Sequence, residues 1–257
     1  STYDRAAQLQ PRGTLAPIAR ARLLERGGDP AGARTLYEGV LPRLKGNERE
    51  LVLRDLVRLC LDLKDFAGAK RHHGELVRHA SGSMYVRAEL GRELLQRGEV
   101  RHAVVELRDV VKAARGDDRA LAPALRDLGA ALLAAGESRE AMDVLRQARR
   151  AASGQPGLQR EIDELLVTAH RREGKLPELI AEFERSSAGA FDRLRILGRL
   201  YEETGDVDKA LGAYRRALQV KPQDVETRLE IVQLLELQGE LDQAIVDEAL
   251  AAIAARY

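Results

Sequence analysis

Residues 191–224 read FDRLRILGRLYEETGDVDKALGAYRRALQVKPQD. Leu194, Leu197, Gly198 and Tyr201 recur at the spacing of one helix face, and after Gly205 and Asp206 the pattern resumes with Ala210, Tyr214 and Ala217. Pro222 closes the segment. The segment therefore reads as two helices joined by a tight turn, with Gly205 able to take the left-handed backbone that ends the first helix.

These choices resemble the tetratricopeptide-repeat family, whose pattern places an aromatic residue, a Leu-Gly pair, a Tyr, an Ala, a Phe and a Pro within about thirty-four residues. Leu194 stands where the family has its initial Trp. The resemblance implies an all-α fold, a right-handed superhelical solenoid of antiparallel helix pairs. It also implies a non-catalytic protein-interaction scaffold or adaptor, with no cofactor and no small-molecule substrate.

Sliding the same register along the chain gives repeat starts near 14, 50, 84, 122, 160, 191 and 225. The small residue that lets the second helix approach the first falls on Ala33, Ala69, Ala103, Ala141, Ala210 and Ala244, with Leu179 departing from the rule. Turn glycines fall on Gly28, Gly98, Gly136, Gly174, Gly205 and Gly239. Gly91, Gly129 and Gly198 lie inside helices, where glycine costs about 1 kcal/mol relative to Ala unless close packing offsets it. About seven repeats are expected in a single solenoid domain over residues 1–257. Tyr3, Ala6 and Pro11 are spaced like Tyr214, Ala217 and Pro222, so residues 1–13 read as the end of an upstream repeat. A piece of a longer array is the expectation.

Composition agrees with a helical repeat protein: 44% hydrophobic and 32% charged residues, with Ala, Leu, Arg and Glu dominant. No run of about twenty apolar residues is present, so no membrane insertion is expected and a cytoplasmic location is favoured. Richness in Arg over Lys is that of a high-GC bacterial gene. No phosphate-cradling glycine loop, dinucleotide fingerprint or nucleophile elbow is present, which argues against nucleotide binding and hydrolase chemistry.

Four smaller features have plain structural readings. Cys60 is the only cysteine and sits where other repeats place a buried apolar side chain. His72, His73 and His79 lack the four-ligand set of a structural zinc site, and His73 should pack inward. Arg115, Gly116 and Asp117 spell an adhesion-like tripeptide but read as a polar loop. Pro30, Pro123 and Pro177 are expected to start helices, while 115–121 and 152–158 are expected to be longer connections.

In the family, the first helix of each repeat lines the concave surface, and positions two, five, nine and about twelve face a partner. Positions five and nine here carry Arg22, Arg54, Arg58, Arg92, Arg126, Arg195 and Arg199. The resemblance thus implies a ladder of guanidinium groups, whose planar forks suit an acidic protein segment. Against it, Asp55 and Glu89 precede Arg58 and Arg92 by three residues, so a self-neutralised surface is an equal reading. Residues 1–120 carry 23 Lys and Arg against 17 Asp and Glu, whereas the remainder carries 19 against 24. The family's chaperone-tail clamp is not expected, because Glu89, Pro123 and Asp127 occupy its donor positions.

The expected partner is therefore a protein, either an acidic segment or a folded domain such as a small GTPase. A regulatory or targeting region of a larger enzyme or bacterial signalling or motility protein is the alternative. Nucleic-acid binding through the basic N-terminal half is disfavoured, since net charge is +1 and no exposed aromatic platform is evident.

Overall fold

The computed structural model describes residues 13–186 and 190–239. The expectation for residues 1–13 falls almost wholly outside them, as does Ala244. The described residues form thirteen α-helices and a short 3-10 turn, Leu41–Arg43, with no strand. The chain divides into two compact units, Ser1–Ala135 and Gly136–Tyr257.

The N-terminal unit contains α1 (Leu15–Arg26), α2 (Pro30–Val40), α3 (Gly46–Asp62), α4 (Phe66–His79), α5 (Met84–Gln96), α6 (Val100–Ala113) and α7 (Asp118–Ala134). Here α1 pairs with α2, α3 with α4 and α5 with α6, and each pair packs on the next. The C-terminal unit contains α8 (Ser138–Ala151), α9 (Pro156–Arg172), α10 (Leu176–Ser186), α11 (Phe191–Glu203), α12 (Val207–Val220) and α13 (Val225–Gln238). In it α9 pairs with α10 and α11 with α12, while α8 packs on α9 and α13 on α12. Both units are stacks of helical hairpins.

The hairpins close because small residues sit at the crossing points. Ala33, Ala69, Ala103, Ala141 and Ala210 are fully buried, and so is Leu179 where the alanine is replaced. A methyl group on Gly91 would stand 2.6 Å from Leu107, and one on Gly198 would stand 2.5 Å from the Tyr214 ring. These glycines are where the second helix leans into the first.

Turns between paired helices combine a left-handed residue with an acidic helix start. Gly205 has φ +80°, and Asp206 then accepts the Lys209 amide at 3.3 Å. Asp29 and Asp65 cap α2 and α4 by accepting the Gly32 and Gly68 amides, each at 2.8 Å. Such caps satisfy amides that have no partner inside the helix. In the second hairpin the left-handed position is held by Lys64, at φ 58°.

Several sequence expectations need correction. First helices begin at residues 46, 118 and 156, four residues ahead of the repeat register near 50, 122 and 160. Consequently Pro123 does not start a helix but lies inside α7, where its ring removes the amide that would reach back one turn. Pro156, expected in a loop, is the first residue of α9, a position where its missing amide costs nothing. The expected longer connections shrink to residues 114–117 and 152–155. Asp117 of the Arg-Gly-Asp tripeptide caps α7 by accepting the Arg119 and Ala120 amides at 3.0 and 3.3 Å.

Candidate functional site

The first helices of the N-terminal unit, α1, α3 and α5, border two clefts. One, of about 410 Å³, is lined by Arg54, Arg58, Tyr85, Glu89 and Arg92, with His73 and Leu76 among its apolar and buried walls. The other, of about 450 Å³, is lined by Arg22, Glu25, Arg26, Tyr37, Leu51 and Arg54. Arg54 and Asp55 line both, so the clefts share a wall. Four of the seven arginines singled out from the sequence, Arg22, Arg54, Arg58 and Arg92, border this pair of clefts.

The arginines are already engaged by carboxylates. Arg54 donates to Glu50 at 2.9 Å and to Glu89 at 3.0 Å, joining α3 to α5. Arg58 donates to Glu25 of α1 at 2.7 Å and to Asp55 at 3.1 Å, which raises its pKa. Arg92 reaches Asp127 of α7 at 3.5 Å and lies over the Tyr85 ring, 4.7 Å from its centre. Arg126 pairs with the same buried Asp127 at 2.8 Å. Arg22 is exposed at the rim of the second cleft. Below it, burial and the charges of Asp55 and Glu25 push the Tyr37 hydroxyl up to about 12.

In the C-terminal unit, Arg195 and Arg199 stand on α11. Arg195 contacts Glu226 at 3.1 Å, and Arg199 pairs with Glu164 on α9. Glu230 is raised by burial and by the nearby Glu202 charge.

Sequence reasoning anticipated salt bridges within single helices, and Asp55 with Arg58 is one. It missed the more frequent kind, which joins residues one repeat apart. Arg58 with Glu25 (33 apart), Arg54 with Glu89, Arg92 with Asp127 and Arg199 with Glu164 (35 apart) all follow this rule. The signal was present as opposite charges separated by one period.

The C-terminal unit also holds a buried ionic network. Asp163, only 2% exposed, accepts from Arg193 at 3.0 Å and from Arg149 at 3.4 Å. Both guanidiniums lie over Phe183, at 5.5 and 5.6 Å from its ring centre. Arg149 also pairs with Glu182, which in turn accepts from Arg146 at 3.4 Å. Arg146 donates to the buried His170 Nε2 at 3.1 Å, and the His170 Nδ1 proton goes to the Leu166 carbonyl at 2.7 Å. Its members are spread over α8, α9, α10 and α11, and each is partnered, so it reads as a clasp.

The remaining histidines and the cysteine are packed or bonded individually. His73 donates through Nε2 to the Val86 carbonyl at 2.8 Å, and His72 meets Glu38 at 3.2 Å. Burial pushes the Cys60 thiol upward, away from the reactive thiolate. Among the described residues no group of three or more His, Cys, Asp or Glu side chains could hold a metal. None of the described helices is long and apolar enough to cross a membrane.

The tetratricopeptide-repeat family model matches residues 197–256. Residues 197–256 thus carry tetratricopeptide repeats. No curated protein matches the sequence. Similar solved structures include a Podosopora anserina protein named after kinesin light chain, with nearly identical TPR-like repeats. It is 18% identical, with TM-score 0.48, over 67% of this chain and 95% of that one. BtubC (BKLC) from P. vanneervenii is 20% identical with TM-score 0.46, over 81% of this chain and 91% of its own. MamA from MSR-1 is 18% identical with TM-score 0.43, over 68% and 98%. The tetratricopeptide fold suits a protein-interaction scaffold in general.

Proposed function

We propose that this tetratricopeptide-repeat chain, read as one repeat domain over residues 1–257, is a non-catalytic scaffold or adaptor that holds a partner protein against its first helices. The observation that carries this reading is the cleft of about 410 Å³ in the N-terminal unit, where Arg54, Arg58 and Arg92 converge on a partly apolar floor. Arginine forks recognise carboxylates in two-point fashion, so an acidic protein segment fits. Because Glu25, Glu50, Glu89 and Asp127 already occupy these forks, an incoming carboxylate must displace or share a resident one. That competition favours specificity over raw affinity, since a badly placed acid gains nothing by the exchange. The clamp for chaperone tails is not part of the proposal, because Glu89 and Asp127 act here as acceptors for Arg54 and Arg92.

The test is capture of a partner on the immobilised chain, followed by the triple variant R54E/R58E/R92E. Retention should fall strongly. Since these arginines also join neighbouring helices, Arg22→Glu provides a second variant on an exposed side chain at the rim. A partner retained equally by wild type and by both variants removes the groove reading.

A further inference from the structure

The outward faces of α4 and α6 are basic. Residues of an α-helix are set about 100° apart, so Arg101, Val105, Arg108 and Lys112 fall within an arc of about 60°, nearly opposite the buried crossing residue Ala103. All four are exposed, and no acidic residue lies within that arc. Counting thirty-four residues back, the step from Ala103 to Ala69, puts Arg71 and Arg78 of α4 in the positions of Val105 and Lys112. Both are exposed as well. The five cations thus sit on the same face of two successive second helices, which Lys70 ties together through Glu106 at 2.7 Å and Asp109 at 3.6 Å. In α12 the corresponding positions hold Asp208, Gly212, Arg215 and Gln219, so the stripe belongs to α4 and α6 rather than to the repeat.

Pairing leaves this charge largely uncancelled. Among the described residues Arg78 and Arg101 have no carboxylate partner. Lys112 meets Asp109 at 3.2 Å with both side chains more than half exposed, and Arg71 shares Glu38 with Arg34. Such exposed pairs are weak. The arginines of the first helices are arranged otherwise, since Arg54, Arg58 and Arg92 are each held by carboxylates of neighbouring helices. A cleft of about 310 Å³ opens between α4 and α6, with Lys70, Gly74, Arg78 and Arg87 in its lining. Gly74 brings no side chain into it. Arg87 donates from Nε to the Gly82 carbonyl at 3.2 Å and meets no carboxylate among the described residues.

We propose that this outer face docks the chain on an anionic phospholipid surface, with the cleft between Arg78 and Arg87 taking one headgroup phosphate. The face itself favours a lipid surface over a nucleic acid or an acidic peptide. It offers no exposed aromatic ring on which a base could stack, because Phe66, the aromatic residue of α4, lies against the His102 ring at 4.0 Å. Val105, 54% exposed, is the apolar member of the stripe, so no row of apolar side chains is there to hold a peptide. Clusters of Lys and Arg on one helical face are drawn to anionic headgroups, and the arginine fork suits a phosphate in two-point fashion. Arg101 to Lys112 span about 16 Å, within about two screening lengths at physiological salt, so the charges act jointly and added salt must weaken the contact. Attachment of this kind is peripheral, through charge rather than an inserted helix. None of these cations lines the two clefts bordered by α1, α3 and α5, so the inference stands apart from the groove reading.

Co-sedimentation of the full chain with lipid vesicles is the test. Phosphatidylcholine vesicles with about 30% phosphatidylserine should pellet the chain at low ionic strength, raised salt should release it, and pure phosphatidylcholine should leave it in solution. The variant R78E/R101E/K112E changes only exposed side chains, should keep its melting temperature, and should bind the anionic vesicles at least about tenfold more weakly. The charge-conserving R78K/R101K should retain binding, and so should R22E, which alters the rim of the second cleft. No pelleting by the anionic vesicles, equal pelleting by neutral ones, or undiminished binding of the triple variant would overturn the inference. Loss of vesicle binding in R22E would overturn it too. A labelled RNA duplex or polyglutamate bound more tightly than the vesicles, and lost by the triple variant, would assign the face to that polyanion instead.

Discussion

Gly198 meets the ring of Tyr214 so closely that an added methyl would stand 2.5 Å from it, and Tyr214 is itself fully buried. Alanine is the better helix former by about 1 kcal/mol, but a crowded core loses about 1–3 kcal/mol when it must yield. Steric cost should win, so Gly198→Ala is expected to lower stability in urea denaturation, and a more stable variant would refute the packing role. Lys64 presents the reverse case. It holds a left-handed backbone at φ 58°, at a position where other hairpins place glycine. Relief of that strain by Lys64→Gly should raise stability by about 1 kcal/mol, since the Lys64–Glu99 ion pair is exposed on the lysine side and contributes little. Both positions were legible in the sequence, because a glycine inside a helix and a missing glycine in a turn each break a local preference.

At the scale of elements, the helix pairs followed from periodicity while their starts did not. The consensus register is anchored by the small residues at the crossing, and the N-terminal extent of α7 and α9 is set instead by the Asp117 cap and by Pro156. Ties between elements were the least legible, because the partners lie a whole repeat apart. The clasp around Asp163 shows how far such ties differ in weight. Removing the carboxylate in Asp163→Ala would leave Arg149 and Arg193, side chains 15% and 13% exposed, without their shared acceptor. Breaking a buried pair from one side costs about 3–5 kcal/mol, whereas an exposed pair such as Arg171 with Glu203 is worth under about 1 kcal/mol. Asp163→Ala should thus cost several times what Glu203→Ala costs in thermal or urea melts. Equal losses would mean that Asp163 is no more than a surface acid with an unusual address.

For the molecule as a whole, the response to mild acid should be led by two buried imidazoles, His73 and His170. His73 faces Arg54, Glu89 and Glu106, and His170 faces Arg146, Glu178 and Glu182. Burial is the leading cause in both, and it lowers their pKa from the ordinary 6.5. The folded chain therefore holds both rings neutral at a pH where the unfolded chain has begun to protonate them. Stability rises with pH wherever the unfolded state binds more protons, so this contribution is complete above 6.5 and is lost as pH falls toward the lowered values. Asp163 acts in the opposite sense, since burial raises its pKa from 3.8, while Asp65 and Glu38, lowered by the Gly68 amide and by Arg34, act like the histidines but from lower starting values. Melting temperature should accordingly begin to fall just below pH 6.5, before the ordinary carboxylate range is reached. In the double variant H73Q/H170Q, glutamine can still donate to the carbonyls of Val86 and Leu166 but cannot titrate, so the fall should begin only in the carboxylate range. An unchanged slope between pH 6.5 and 5 in that variant would assign the acid response to the carboxylates instead.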